Sequence, residues 1–213
     1  MKKFKRIPAL LAALCFAALL TPAAAADGET AEETTDGTLV TASAFMDVAE
    51  SDYFFAPVEW AVANGVTVGT SASEFSPDET CTRAQIITFL WRAVGAPEPA
   101  TASSFTDVDS EQYYYKAVQW AHETGVDKSV ETFSPDDPCT RAAVVEFLWL
   151  LEGSPAAAVE TAFTDVTAES SYALAVAWAV EQGITTGVTE TTFAPDDTCT
   201  RAQIVTFLYR AFA

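Results

Sequence analysis

The stretch Phe75-Ser76-Pro77-Asp78-Glu79-Thr80-Cys81-Thr82-Arg83-Ala84-Gln85-Ile86-Ile87-Thr88-Phe89-Leu90 has a helix start written into it. Thr82 followed three residues later by Gln85 is a capping box, in which hydroxyl and amide each satisfy a backbone N–H that the first turn leaves orphaned. Asp78 and Glu79 just ahead suit the positive end of the helix dipole. The body that follows, Ile86 to Trp91, is apolar around most of its circumference, so this helix belongs in an interior. The same words return twice. Phe133-Ser134-Pro135-Asp136 and Phe193-Ala194-Pro195-Asp196 each run into Cys-Thr-Arg-Ala and an apolar helix. Thr200 and Gln203 repeat the box; Ala143 breaks half of it in the middle copy.

Working towards the N-terminus, each copy has a second helical stretch, near Ala56–Asn64, Lys116–Thr124 and Ala173–Gln182. These end at Gly65, Gly125 and Gly183, where glycine supplies the left-handed turn that closes a helix. Ahead of them stand Phe45-Met46-Asp47-Val48, Phe105-Thr106-Asp107-Val108 and Phe163-Thr164-Asp165-Val166, with Trp60, Trp120 and Trp178 fifteen residues after each Phe. The copies start 60 and 58 residues apart. A loop of about ten residues joins the two helices of a copy and is two residues shorter in the middle one. Pro, Gly and Ala-rich linkers, Gly95–Ala100 and Gly153–Ala158, separate the copies. Self-similarity at this period means one small unit used three times, each copy leaning on its neighbours for cover. The expected fold is mainly α: three tandem helix-loop-helix repeats, residues 45–95, 105–153 and 163–213, around a central helical bundle.

Residues 1–26 read as a secretory signal peptide. Lys2, Lys3, Lys5 and Arg6 precede a short apolar run, Leu10 to Leu20, and Ala24-Ala25-Ala26 offers a cleavage site. Cys15 lies inside that run behind Leu14, where a lipidation signal wants a small residue. Residues 27–44 read as an acidic flexible leader. No other segment is long enough to span a membrane. The whole chain of 213 residues carries a formal charge of −19; without the four basic residues of the signal, seven cations face thirty acids, or −23. That field repels nucleic acid and anionic lipid. The expected protein is exported, soluble or wall-bound, and monomeric, with no cofactor.

Cys81, Cys139 and Cys199 occupy one position in each copy. An odd number cannot all pair internally, and no His recurs beside them to complete a zinc set; small buried residues are the expectation. The only histidine, His122, has no counterpart in the other copies, so a Cys139–His122 dyad finds little support for nucleophilic catalysis. No pair of carboxylates stands out for glycoside cleavage, and the Pro-Asp-Asp loops lack an EF-hand pattern. Arg83, Arg141 and Arg201 open the second helices. From the residues alone each either pairs with a nearby acid such as Asp78 or Asp136, or offers its planar fork of donors to an anion.

Taken in order and three times over, Phe-x-Asp-Val, Trp-Ala, Phe-x-Pro-Asp and Thr-Arg-Ala-Gln resemble the S-layer homology (SLH) family of bacterial cell-surface anchoring modules, from Phe45 to Phe212. The resemblance implies one pseudo-threefold unit whose grooves between repeats bind secondary cell-wall polysaccharide, often through a pyruvate ketal. It implies that Arg83, Arg141 and Arg201 meet the ketal carboxylate. Ser76 and Ser134, Gly69 and Gly187, Asp47, Asp107 and Asp165, and Trp60, Trp120 and Trp178 are the further ligand-binding candidates it implies. For the Asp residues a structural role, capping the next helix or bracing the Arg, is the stronger expectation, and for the Trp residues a mostly core one. The copies depart from the pattern at Ala194, which replaces the Ser, at Ser129, which replaces the loop Gly, and at Ala143, so three equal grooves are not expected. The alternative is a surface structural or adaptor protein that binds a protein partner or peptidoglycan. No residues remain in the chain for a separate catalytic domain.

Overall fold

A computed structural model describes residues 44–102, 105–158 and 161–213; the expected signal peptide and nearly all of the leader lie outside them. Six helices follow one another: α1 (Phe55–Ala63), α2 (Arg83–Ala93), α3 (Tyr115–Glu123), α4 (Arg141–Leu151), α5 (Ala173–Glu181) and α6 (Arg201–Phe212). Among the described residues there is no strand, only isolated antiparallel bridges pairing Thr80 with Thr200, Thr82 with Pro138 and Thr140 with Thr198. The mainly α fold is as expected.

The helix ends form where the sequence puts them. Thr82 and Thr200 cap α2 and α6 with complete capping boxes, and Thr140 caps α4 with its hydroxyl alone. Gly65, at φ +68°, closes α1: its N–H bonds Val62 O, and the next N–H, of Val66, reaches back to Ala61 O. That pair of bonds, with Val66 wholly buried, is a helix stop that a side chain at Gly65 would strain.

Each first helix packs on the second helix of the preceding repeat: α3 on α2, α5 on α4, and α1 on α6. α6 also touches α2 and α4, so the apolar second helices meet in the interior. Ile86, Ile87, Phe89 and Leu90 of α2 and their counterparts Val144, Val145, Phe147, Leu148 and Ile204, Val205, Phe207, Leu208 are all buried. The pairing runs from repeat 1 to 2, 2 to 3 and 3 back to 1.

The backbone closes the same cycle at the cysteines. Cys139 N donates to Cys81 O, Cys199 N to Cys139 O, and Cys81 N to Cys199 O, at 3.0 to 3.1 Å. None of the three cysteines is in a disulfide, and all three are buried. Burial pushes those of Cys139 and Cys199 up to about 12, so they act as small apolar groups. No group of three or more His, Cys, Asp or Glu among the described residues is placed to hold a metal ion. His122 is exposed, its ring against Phe105, and shares no hydrogen bond with buried Cys139, so the imagined dyad does not form.

Candidate functional site

The arginines that open α2, α4 and α6 each reach out of their own repeat. Arg83 Nε donates to Phe133 O at 2.9 Å, Arg141 Nε to Phe193 O at 2.8 Å and Arg201 Nε to Phe75 O at 2.7 Å. Each guanidinium lies between two phenyl rings of the next repeat: Phe133 and Phe147, Phe193 and Phe207, Phe75 and Phe89, with centroids 4.9 to 5.5 Å away. Stacking on ring faces lets a guanidinium sit in an apolar wall.

The receiving loop is built by the opening Asp of the same repeat. Asp47 accepts from Phe75 N and Ser76 N at 2.9 and 2.7 Å, Asp107 from Phe133 N and Ser134 N, and Asp165 from Phe193 N and Ala194 N. Those bonds pin Ser76, Ser134 and Ala194 at φ near +57°, a left-handed conformation that costs a non-glycine residue about 1 kcal/mol or more. Burial raises the Asp165 carboxyl, but the N–H groups of Phe193 and Ala194, its own backbone and the field of Arg141 outweigh that and hold it below the usual range. The three Asp residues thus brace the loops that receive the arginines.

The other candidates have structural surroundings too. A Cβ on Gly69, at φ +91°, would stand 2.5 Å from the Phe45 ring and 2.6 Å from Glu74 O; one on Gly187 would meet Phe163 and Thr189 O as closely. Ser76 bonds the Thr70 hydroxyl at 2.6 Å. Trp120 and Trp178 are buried in the core. Trp60 is half-buried, parallel to Phe212 and edge-on to Tyr209.

What the structure brings together therefore comes from adjacent repeats. Arg83 meets the loop of Asp107 and Ser134, Arg141 that of Asp165, Ala194 and Gly187, and Arg201 that of Asp47, Ser76 and Gly69. The three boundaries differ in depth. Arg201 is 1% and Arg141 4% exposed, whereas the Arg83 side chain is 21% exposed. Arg83 reaches the middle repeat, whose loop is two residues shorter.

They differ in charge as well. Arg83 Nη2 pairs with Asp127 at 2.9 Å and reaches Ser129 Oγ at 3.4 Å. The partner is neither Asp78 nor Asp136. Thr67 and Thr185 occupy the position of Asp127 in the other repeats: each accepts the N–H two residues on, from Gly69 and Gly187, as Asp127 does from Ser129. Arg201 accordingly meets a hydroxyl, that of Thr67, at 3.3 Å. Among the described residues no carboxylate lies within ion-pair distance of Arg141.

Beside the start of α2 an open cleft of about 390 Å³ separates repeats 1 and 2. Thr82, Ala84 and Gln85 line one side, and Gln112, Tyr113, Tyr114 and Asp136 the other. The repeat motifs include Thr82, Ala84, Gln85 and Asp136 of this lining but not Gln112, Tyr113 and Tyr114, whose one visible sign in the sequence is the Tyr113-Tyr114-Tyr115 run. Asp127 was likewise passed over, although an acid where two repeats carry Thr marks the middle copy as different.

The S-layer homology domain profile matches residues 44–87, 104–145 and 162–205, well over half of the chain. The chain belongs to the S-layer homology family. SLH domains are cell-surface anchoring modules, and the three matches coincide with the three structural repeats. Similar proteins include an endoglucanase of Bacillus sp. (strain KSM-635), 32% identical over 46% of this chain and 10% of its own length. An amylopullulanase of Thermoanaerobacterium thermosulfurigenes is 25% identical over 71% of this chain and 8% of its own, and exoglucanase XynX of Acetivibrio thermocellus 25% identical over 71% and 15%. This SLH chain thus matches only a minor part, 8 to 15%, of each relative. No helix among its described residues is long and apolar enough to cross a membrane.

Proposed function

We infer that this chain is an exported, non-catalytic anchoring module that holds itself to the wall by binding an acidic secondary cell-wall polysaccharide, of the pyruvylated kind, at the boundaries between repeats. The observation that carries this reading is Arg141. Its guanidinium, 4% exposed, stands at the first residue of α4, with no carboxylate in ion-pair distance among the described residues. A buried charge is costly unless an opposite charge meets it. Asp165 lends a field but is tied to two backbone N–H groups. A sugar carboxylate could supply the missing charge, with the first-turn N–H groups of α4 adding to the attraction. On a chain of net charge −19 such a site works only at short range.

Co-sedimentation with cell-wall sacculi tests it, comparing sacculi with and without their secondary polymer. Pelleting with polymer-bearing walls alone, weakened about tenfold by Arg141→Lys in a protein that melts as the parent does, is the expected result. Lysine keeps the charge and loses the fork. Equal pelleting with stripped walls would replace the polysaccharide by peptidoglycan or a wall protein, and no pelleting would refute anchoring through this chain.

A further inference from the structure

We propose that Asp127 closes the boundary between repeats 1 and 2 to carboxylated sugars and leaves its cleft for an uncharged one. This rests on the polysaccharide reading above and assigns different sugar chemistry to different boundaries. Arg83 is the most exposed of the three arginines, yet its charge is already answered. Asp127 holds Arg83 Nη2 at 2.9 Å and accepts from both the hydroxyl and the N–H of Ser129, at 3.0 and 3.1 Å. Its side chain is 2% exposed.

An incoming carboxylate would have to share Arg83 with this buried one. Two carboxylates within a few ångströms repel, and pulling Arg83 away strands Asp127 without its counter-charge. Thr67 and Thr185 impose no such penalty at the other boundaries. The repulsive element is one residue, and repulsion against the wrong ligand sets specificity as firmly as attraction to the right one.

The cleft beside it agrees. Two amides, two phenols and a hydroxyl face it, with Asp136 as the one charged group and no cation in the lining. Tyr113 and Tyr114 stand edge to face, ring centroids 5.0 Å apart. Neutral donors and acceptors around aromatic rings are fitted to sugar hydroxyls and ring C–H faces, and Asp136 turns an anion away.

The test uses the full chain, labelled with ¹⁵N, and follows the Nε–H signals of the arginines and the side-chain amides of Gln85 and Gln112. The probes are a methyl hexopyranoside bearing a 4,6-pyruvate ketal and the methyl ester of the same compound, which replaces the negative charge by one methyl group. The acid is expected to shift Arg141 and leave Arg83 in place, while the ester shifts the two glutamine amides. In Asp127→Thr, which installs the residue found in the other two repeats, the acid is expected to shift Arg83 as well, with an apparent Kd at least tenfold below any seen at that signal in the parent. Asp127→Asn serves if the Thr variant melts lower. A parent Arg83 that responds as Arg141 does, or an Arg83 that stays inert in both variants, would overturn the role of Asp127. Glutamine amides unmoved by the ester would overturn the uncharged-sugar assignment. Silence of Arg141 in every protein would instead remove the polysaccharide-carboxylate reading, on a separate signal.

Discussion

Arg201 and Phe75 are 126 positions apart in the chain and 2.7 Å apart in space, joined by the hydrogen bond from Nε to the backbone carbonyl. Through it the start of the last helix holds the loop of the first repeat, with the guanidinium between Phe75 and Phe89. Arg201→Ala leaves a carbonyl bereft and a cavity between two rings. We expect a loss of roughly 3 kcal/mol, read as a lower midpoint in urea with the slope unchanged. Arg201→Met, which refills the space, should recover part of it.

The pair Arg83–Asp127 gives a different signature. Arg83→Ala strands a buried carboxylate and should cost about 3 kcal/mol, whereas Arg83→Ala combined with Asp127→Thr should cost clearly less. A double-mutant cycle in denaturant measures the coupling; additive losses would mean that the ion pair contributes nothing.

Gly69→Ala places a methyl against the Phe45 ring and the Glu74 carbonyl in a backbone conformation that L residues avoid. A destabilisation of about 2–4 kcal/mol is expected, whereas Gly95→Ala, which meets nothing within 4 Å, carries only the strain of its φ and should lose less. Thermal melts of the two variants compare them directly.

Half a capping box can be completed. Ala143→Gln in α4 would give Thr140 the amide partner that Thr82 and Thr200 have. The expected gain is about 0.5 kcal/mol, while Gln85→Ala should lose a similar amount.

The thiols set an alkaline limit. Burial raises the Cys139 and Cys199 thiols to about 12 from an ordinary 9.0. The folded state therefore binds their protons more tightly than the unfolded chain. Their contribution is complete below about pH 9 and is lost as the pH climbs towards 12. Denaturation midpoints at pH 8 and 11 should diverge less in a Cys139→Ala, Cys199→Ala protein. Alkylation of the folded parent by iodoacetamide at pH 8 should be at least a hundredfold slower than in denaturant.

The parts legible in the sequence were those set by neighbours along the chain. Thr82 with Gln85, the Gly65 helix stop and the greasy run Ile86 to Leu90 state their own structure, because capping and amphipathicity act within a turn or two. The sequence points to Asp47 as a helix cap or a brace for the Arg, whereas it holds the backbone N–H groups of Phe75 and Ser76, 28 and 29 residues on. Arg83 shows the limit. Sequence proximity suggested Asp78 or Asp136, yet Asp127, 44 residues away, is the partner, because each arginine serves the next repeat rather than its own. The depth of Arg141 and Arg201 was equally hidden: two rings and a loop from a different copy bury them.

The loop of hydrogen bonds through Cys81, Cys139 and Cys199 has a consequence for evolution. An open stack of repeats can gain or shed a copy at its ends, since a new unit meets one neighbour and leaves the others alone. Here every donor already has its acceptor and the last copy returns to the first, so a fourth would have nowhere to bond and a pair would be left with a gap. Within this closed cycle each copy remains free to vary in what it presents at its seams. A single acid at residue 127 or a loop shortened by two can then give one seam a chemistry of its own without touching the ring.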